Sequence, residues 1–432
     1  MILHENFQIN EKGRLEIGGC DSVELAKQYG TPLYVMDEDK IRQNCRAYKN
    51  AAKKYFKGGG DIAFASKALS FKGMYKIIRE EGLCTDVVSP GELETVKAAN
   101  FPLEKAYYHG NNKTDFDIEF GLGHNIGVFV ADNTEEIEAL GALCEKYDKT
   151  QKILLRVSPG IDAHTHAKIT TGKVDSKFGI AIQTGQAKEA VKMALKRKNL
   201  EFLGLHCHIG SQITEIGPFI DAAECMLEFA KKIKSECGVE IAELNLGGGF
   251  GVKYIEGQDG LDIDRGVFAV GECVKAKCGE LNIKIPKIIL EPGRSIVANA
   301  GATLYTVGTN KKITGYKNYV SVDGSMADNP RYALYESPYT IVAANKMNEK
   351  CDIVADIAGR CCESGDFIQG AVPLPDVKRG DILAVLVTGA YNYSMASNYN
   401  RLPRPAMVFV RGGSSEIAVR RETYEDLMKN EV

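Results

Sequence analysis

Asp61–Ser70 reads DIAFASKALS, a short β-prone run that breaks at a serine and a lysine and gives way to a helix-like stretch. Seven further runs repeat that arrangement: Leu83–Val88, Ala106–His109, Ile126–Ala131, Lys152–Val157, Phe202–His206, Ile241–Leu246 and Lys287–Leu290. Between the last pairs, apolar residues fall at helical spacing, first Phe219, Met226, Phe229 and Ile233, then Val267, Val270, Val274, Cys278 and Leu281. Repeated strand-helix units imply parallel strands joined by crossover helices. Eight of them within residues 61–300 predict one closed (β/α)8 TIM barrel, with an open doubly wound sheet as the runner-up.

Outward from the barrel the pattern changes. After Ala300 the chain carries short strands broken by Gly, Pro and Asn: ATLYTVGT, YVSVDG, YTIVAA, CDIVADIAG, DILAVLVTG and AMVFVRGG, with few stretches able to carry a long amphipathic helix before Glu422–Lys429. This predicts a C-terminal β-barrel or sandwich, so the fold class is α/β plus all-β. The first ~30 residues hold a short strand-turn pattern that could pair with it. The expected domains are 36–300 for the barrel, and 1–35 with 301–432 for the β-domain.

Composition limits the function. In 432 residues, 54 basic side chains face 57 acidic ones, and the net charge of −3 leaves no basic excess for nucleic acid. No apolar run reaches the ~18 residues of a membrane span. The opening residues lack a signal-peptide profile, so a cytoplasmic protein with its 12 cysteines reduced is expected. No C-x-x-C pair supports a structural zinc, and no metal is expected.

In such a barrel the chemistry gathers at the carboxyl ends of the strands. Lys67 ends the first run; a lysine there can lose its charge by desolvation and attack an aldehyde, although most lysines are simply solvated. After the sixth run comes HCHIGSQ, with His206 and His208 on one side if the strand persists, able to bind metal or to stack on a flat ring. Gly247-Gly248-Gly249-Phe250-Gly251 follows the seventh run, and such glycines let backbone amides approach an anion. It does not match the G-x-G-x-x-G dinucleotide pattern. Glu291-Pro292-Gly293-Arg294 follows the eighth run, where the carboxylate can keep a ring nitrogen protonated. An amine, an imidazole, a glycine loop and a carboxylate together describe a pyridoxal 5′-phosphate site.

These residues resemble the diaminopimelate decarboxylases, pyridoxal-phosphate enzymes built as an alanine-racemase-like barrel plus a β-domain. The resemblance spans nearly the whole chain and rests on FASKA, HGNNKT (109–114), PGIDAHTHAKITTGKVDSKFG (159–179), HCHIGSQI, LGGGFG, EPGRSIVANAG, CCESGD and GAYNYSMASNYN. It implies that Lys67 is the Schiff-base lysine and that His208 stacks on the pyridine ring. Ser211, Gly248, Gly249, Gly293, Arg294 and Tyr391 would bind the cofactor, with Glu291 at its ring nitrogen. Arg294, Arg331 and Tyr335 would hold the distal carboxylate of the substrate, Glu363 its distal amine, and Tyr391 would lie near both substrate and cofactor. Cys362 would be the proton donor, supplied by the other subunit of a homodimer. The chain departs from the family pattern at Asn329-Pro330, where an apolar pair is usual, and at Tyr332, where proline is usual.

The implied reaction is decarboxylation of meso-2,6-diaminopimelate to L-lysine and CO2, the last step of lysine biosynthesis. The chemistry agrees: an arginine fork suits a carboxylate, and a buried arginine left without one disfavours lysine or ornithine as substrate. A thiol is a credible acid for a carbanion. The alternatives are a decarboxylase for carboxynorspermidine, ornithine or arginine, a racemase of the same barrel type, and a non-catalytic cofactor-binding paralogue. The last should lack Lys67 or Cys362, and both are present.

Overall fold

The computed structural model describes residues 4–161 and 175–432. The chain divides into two compact units. One comprises Asn44–Gly251 and Gly260–Arg294, the other Met1–Gln43, Val252–Asp259 and Ser295–Val432.

The first unit is a closed parallel barrel. Its strands are Gly60–Phe64, Cys84–Val87, Ala106–Tyr108, Val128–Ala131, Gln151–Ser158, Leu200–His206, Glu243–Asn245 and Lys287–Leu290. Each pairs in parallel with the next, and Lys287–Leu290 returns to Gly60–Phe64 through Ile288↔Gly60 and Leu290↔Ile62. A two-residue strand, Ile180–Ala181, is appended to Gln151–Ser158. The closure excludes the open doubly wound sheet. Runs such as KIIL and VFVA are almost wholly buried because parallel strands are covered on both faces. Inside the ring, Ala63, Cys84, Tyr107, Val128, Val130, Leu154 and Ile289 form one cluster with Leu203 against it, so the barrel is filled by side chains from seven of its strands.

The helices start where the sequence supplies caps. Ser89 accepts from the Glu92 amide ahead of Pro90, Thr114 and Asp117 form a reciprocal capping box, and Asn133 accepts from the Glu136 amide. The expected apolar stripes are the buried faces of Gly217–Cys237 and Ile263–Leu281, with Leu281 half-buried. One expectation is corrected. Strand eight is followed by a helix of only four residues, Arg294–Val297, and a long helix, Glu38–Tyr55, instead precedes strand one. Within the barrel unit, Tyr48 meets Phe250 edge-on at 5.5 Å and Tyr55 sits under Gly271, so this helix takes the place an eighth crossover helix would have had.

The second unit is β-rich. Its backbone is the 13-residue strand Gly301–Ile313, whose first half pairs antiparallel with Leu33–Asp37 on one side and Ile382–Leu386 on the other. Its second half pairs with Lys317–Val322. The sheet continues through Ile353–Ala358 to Phe367–Leu374, and in the other direction through Ala406–Arg411 to Ser414–Val419; Ile341–Ala343 flanks Ile382–Leu386. The N-terminal strands Phe7–Ile9, Leu15–Ile17 and Cys20–Asp21 do not enlarge that sheet; they pair with one another. Only Leu33–Asp37 enters it. The C-terminal helix is Tyr424–Met428, begun by a Thr423–Asp426 capping box. No helix among the described residues is long and apolar enough to cross a membrane.

Candidate active site

Strand ends in the barrel unit converge on one cluster of polar side chains. Strand one ends at Phe64, and Ser66–Ala68 form a 3-10 turn in which Ser66 and Ala68 are buried while Lys67 projects outward, exposed. Two bonds pin the turn. The Ser66 amide donates to the Asp86 carboxylate at 2.7 Å, and the Ala65 amide donates to the Pro292 carbonyl at 3.1 Å. The second bond laces the lysine turn to the EPGR turn, and Gly293 permits this because a Cβ there would lie 2.9 Å from the Ala65 carbonyl oxygen.

Strand six ends at His206, so the condition for His206 and His208 sharing a side is not met, and the two rings do different work. His208 is half-buried, and its Nδ1 accepts from the Gly248 amide at 3.3 Å. Burial, then the positive charge of Lys67, holds its pKa well below the usual histidine value, so the ring is neutral. Gly248 therefore orients the His208 ring with the amide that the sequence reading had assigned to the cofactor. The glycine loop is necessary on steric grounds. A Cβ at Gly248 would lie 2.0 Å from the Glu291 carbonyl oxygen, and one at Gly249, whose φ is +110°, would lie 2.4 Å from the Gly210 carbonyl oxygen.

Glu291, directly after strand eight, is buried and accepts three hydrogen bonds. His109 Nε2 donates to Oε1 at 2.8 Å, Asn245 Nδ2 donates to the same oxygen at 2.7 Å, and His206 Nε2 donates to Oε2 at 3.1 Å. Burial alone would raise the Glu291 pKa, but His109 and His206 outweigh it and hold the carboxyl well below the usual range. Burial takes His206 down to about 4, so it donates as a neutral ring. Arg294, also buried, reaches Ser211 Oγ with Nη2 at 2.9 Å.

The residues fit pyridoxal phosphate. An exposed primary amine, a neutral imidazole fixed by its Nδ1, a cradle between backbone carbonyls that only glycine can line, a guanidinium beside a serine hydroxyl and an anionic carboxylate match the aldehyde, ring, phosphate and ring nitrogen of that group.

The remaining expected residues lie in the β-rich unit. Arg331 opens the short helix Arg331–Tyr335, with Pro330 (φ −79°, ψ −12°) at its N-cap, so the Asn329-Pro330 departure starts a helical turn. Its side chain is buried, donates from Nη1 to Tyr339 Oη at 2.9 Å, and lies over the Tyr254 ring at 4.8 Å and the Tyr339 ring at 5.5 Å. No carboxylate lies within ion-pair distance of it among the described residues. Tyr335, four residues on, is half-buried. Tyr391 is half-buried at φ +64°, a conformation costing a bulky residue about 1–3 kcal/mol. Its neighbour Asn392 is fully buried and donates to the Thr388 carbonyl at 3.1 Å and to Tyr339 Oη at 3.3 Å.

Cys362 and Glu363 are exposed on a turn built by buried Asp366, whose oxygens accept from the amides of Met326 and Cys361, both at 2.6 Å; the Cys362 amide itself donates to Asn400 Oδ1 at 2.7 Å. The side chains are therefore presented outward from a fixed backbone.

Sequence reasoning assigns no role to Asp86, His109 or Asn245, and offers His206 only as a metal ligand or stacking ring beside His208. Each lies at a strand's carboxyl end or one residue from it. Most of the 159–179 motif, residues 162–174, lies outside the described residues.

Residues 38–298 match the model of the pyridoxal-dependent decarboxylase pyridoxal-binding domain. The chain is 47% identical over 431 residues to the diaminopimelate decarboxylase of Bacillus subtilis, covering 99% of this chain and 98% of that one. The crystal structure of diaminopimelate decarboxylase from M. jannaschii in co-complex with L-lysine superimposes with a TM-score of 0.94 at 36% identity, covering 100% of this chain and 99% of that one. The Helicobacter pylori enzyme complexed with L-lysine gives a TM-score of 0.86 at 31% identity, covering 94% of this chain and 98% of that one.

Proposed function

The chain belongs to the diaminopimelate decarboxylases, and from that premise we propose how its residues divide the work of converting meso-diaminopimelate to L-lysine and CO2. Pyridoxal phosphate is the cofactor, and when bound it supplies the electron sink for the pair left behind by departing CO2. Residues 36–300 serve as the cofactor-binding barrel, and 1–35 with 301–432 form the β-domain.

Lys67 holds the cofactor through its amine. His208 covers the ring face, with Gly248 acting through it. Ser211, Gly249, Gly293, Arg294 and Tyr391 serve the phosphate, and Glu291 keeps the ring nitrogen protonated. Arg294, Arg331 and Tyr335 hold the distal carboxylate, and Glu363 accepts from the distal ammonium. The Cys362 thiol delivers the proton that replaces the lost carboxylate. Its exposure on a fixed turn supports delivery across a homodimer interface.

The observation that carries the substrate assignment is Arg331. A buried guanidinium lying against two tyrosine rings, with no acidic partner among the described residues, is costly until an anion reaches it. Lysine, ornithine and arginine bring no carboxylate at their far end, whereas diaminopimelate does. The test is CO2 release from each of the four amino acids by the cofactor-loaded protein. Preference for diaminopimelate by at least about 100-fold in kcat/KM is expected, and equal turnover of ornithine or lysine overturns the assignment. Borohydride treatment of the holoprotein followed by peptide mapping must place the cofactor on Lys67; fixation elsewhere overturns that role.

A further inference from the structure

We propose that His109 and His206 are positioning residues that keep Glu291 ionised and leave it one acceptor position, directed to the cofactor's ring nitrogen; this rests on the reading that Glu291 meets that nitrogen. A carboxylate has about four lone-pair positions. In Glu291 three are filled from inside the barrel, by His109 and Asn245 on Oε1 and by His206 on Oε2. The side chains come from the ends of strands three, six, seven and eight, and the two imidazoles meet edge-on with centroids 4.7 Å apart. None of the three donors is mobile. His109 follows its strand with its amide on the Val87 carbonyl at 2.8 Å, and His206 and Asn245 are register partners on adjacent strands.

A fully buried carboxyl would otherwise take up a proton, and a protonated Glu291 would no longer favour a protonated ring nitrogen. The histidines counter this by donating hydrogen bonds. To do so each must carry hydrogen on Nε2, and for His206 this leaves the buried, unpartnered Nδ1 as a lone pair instead of an unpaired N–H. Other groups also act in this field: Asp86 is drawn on by His109 and opposed by Glu291, while Lys67, Arg156 and His208 lie around the same mouth. The charge on Glu291 is thus set by a ring of groups, of which, among the described residues, His109 and His206 are the titratable ones directly bonded to it.

The test compares His109→Leu and His206→Leu, which remove a donor, with His109→Gln and His206→Gln, which keep an N–H. Two quantities are read: the acid midpoint of the holoprotein's visible absorption, and the dissociation constant of pyridoxal phosphate from the apoprotein by tyrosine fluorescence, the chain having no tryptophan. The leucine variants should raise the midpoint by about one pH unit and weaken cofactor binding about tenfold, and the glutamine variants should restore most of both. Unchanged midpoints in the leucine variants overturn the proposal. Where leucine prevents folding, alanine with added imidazole replaces it, and failure of imidazole to move the midpoint back is equally fatal. Glu291→Gln separates the two readings. If it leaves the midpoint unmoved, Glu291 does not face the ring nitrogen; if it moves the midpoint and the histidine variants do not, only the positioning role falls.

Discussion

The amide of Ser66 donates to the buried carboxylate of Asp86 across 2.7 Å, one residue before Lys67. The side chain at the end of strand two therefore sets the direction of the turn at the end of strand one. Asp86→Ala leaves that amide without its partner, at a cost of about 1–3 kcal/mol, and frees the Lys67 turn. Urea unfolding should register the loss, and kcat should fall about tenfold or more as the amine loses its fixed position. Asp86→Asn keeps an acceptor and should recover most of the stability.

Cys362 is exposed, so replacing it leaves the fold intact. Cys362→Ala should lower kcat about 100-fold or more with little change in KM or melting temperature. Mixing inactive Lys67→Ala protein with inactive Cys362→Ala protein, under conditions where subunits exchange, should restore CO2 release. Absence of any recovery would show that thiol and lysine act within one subunit.

Arg331→Lys keeps the charge and loses the planar fork that packs on Tyr254 and hydrogen-bonds Tyr339. The expected result is a 10- to 100-fold rise in KM for diaminopimelate, or about 1–3 kcal/mol of lost binding, read from initial rates. A loss of kcat with KM unchanged would place Arg331 outside the substrate contacts.

Gly248→Ala forces a methyl to 2.0 Å from the Glu291 carbonyl oxygen. The strands on either side must separate, and the amide that fixes His208 moves with them. Cofactor affinity should fall about tenfold or more while far-ultraviolet circular dichroism is unchanged, as expected of a local displacement.

His206 is neutral in the folded barrel, with its pKa lowered to about 4 from 6.5, whereas the unfolded ring titrates normally. Below about pH 6.5 the unfolded chain binds the extra proton, so stability falls as pH drops from 6.5 towards 4 and is fully present above 6.5. From pH 7 to pH 5 this one ring accounts for about 2 kcal/mol. Urea unfolding at the two pH values should therefore show a smaller loss in His206→Gln than in the parent, by about that amount.

The barrel was legible because each of its strands is a short apolar run followed by a helix start, and that local signal survives without any knowledge of pairing. KIIL at Lys287–Leu290 is bounded in the structure as in the sequence. That Lys67, His208, the glycine loop and Glu291 follow strand ends was legible for the same reason, since each interrupts an apolar run at the position where a barrel opens. What escaped was set by pairing across the ring. His109 and Asn245 are 136 residues apart in sequence and share one oxygen of Glu291, and nothing in the local composition of either predicts that. The leading helix Glu38–Tyr55 escaped because the repeat was read as strand-then-helix, whereas the ring is indifferent to which element comes first. The N-terminal strands have the right composition to extend the larger sheet, and their own tight turns claim them instead.

Because the parallel strands close on themselves, the barrel's main ring offers no free edge to another polypeptide. Unfilled ladder positions are concentrated instead in the β-rich unit, at Phe367–Leu374, Ser414–Val419 and Ile341–Ala343. Pro373 removes one amide from the first of these, and the charge of Glu416 interrupts the second. Replacing Pro373 or Glu416 with a β-branched apolar residue should therefore increase aggregation on refolding.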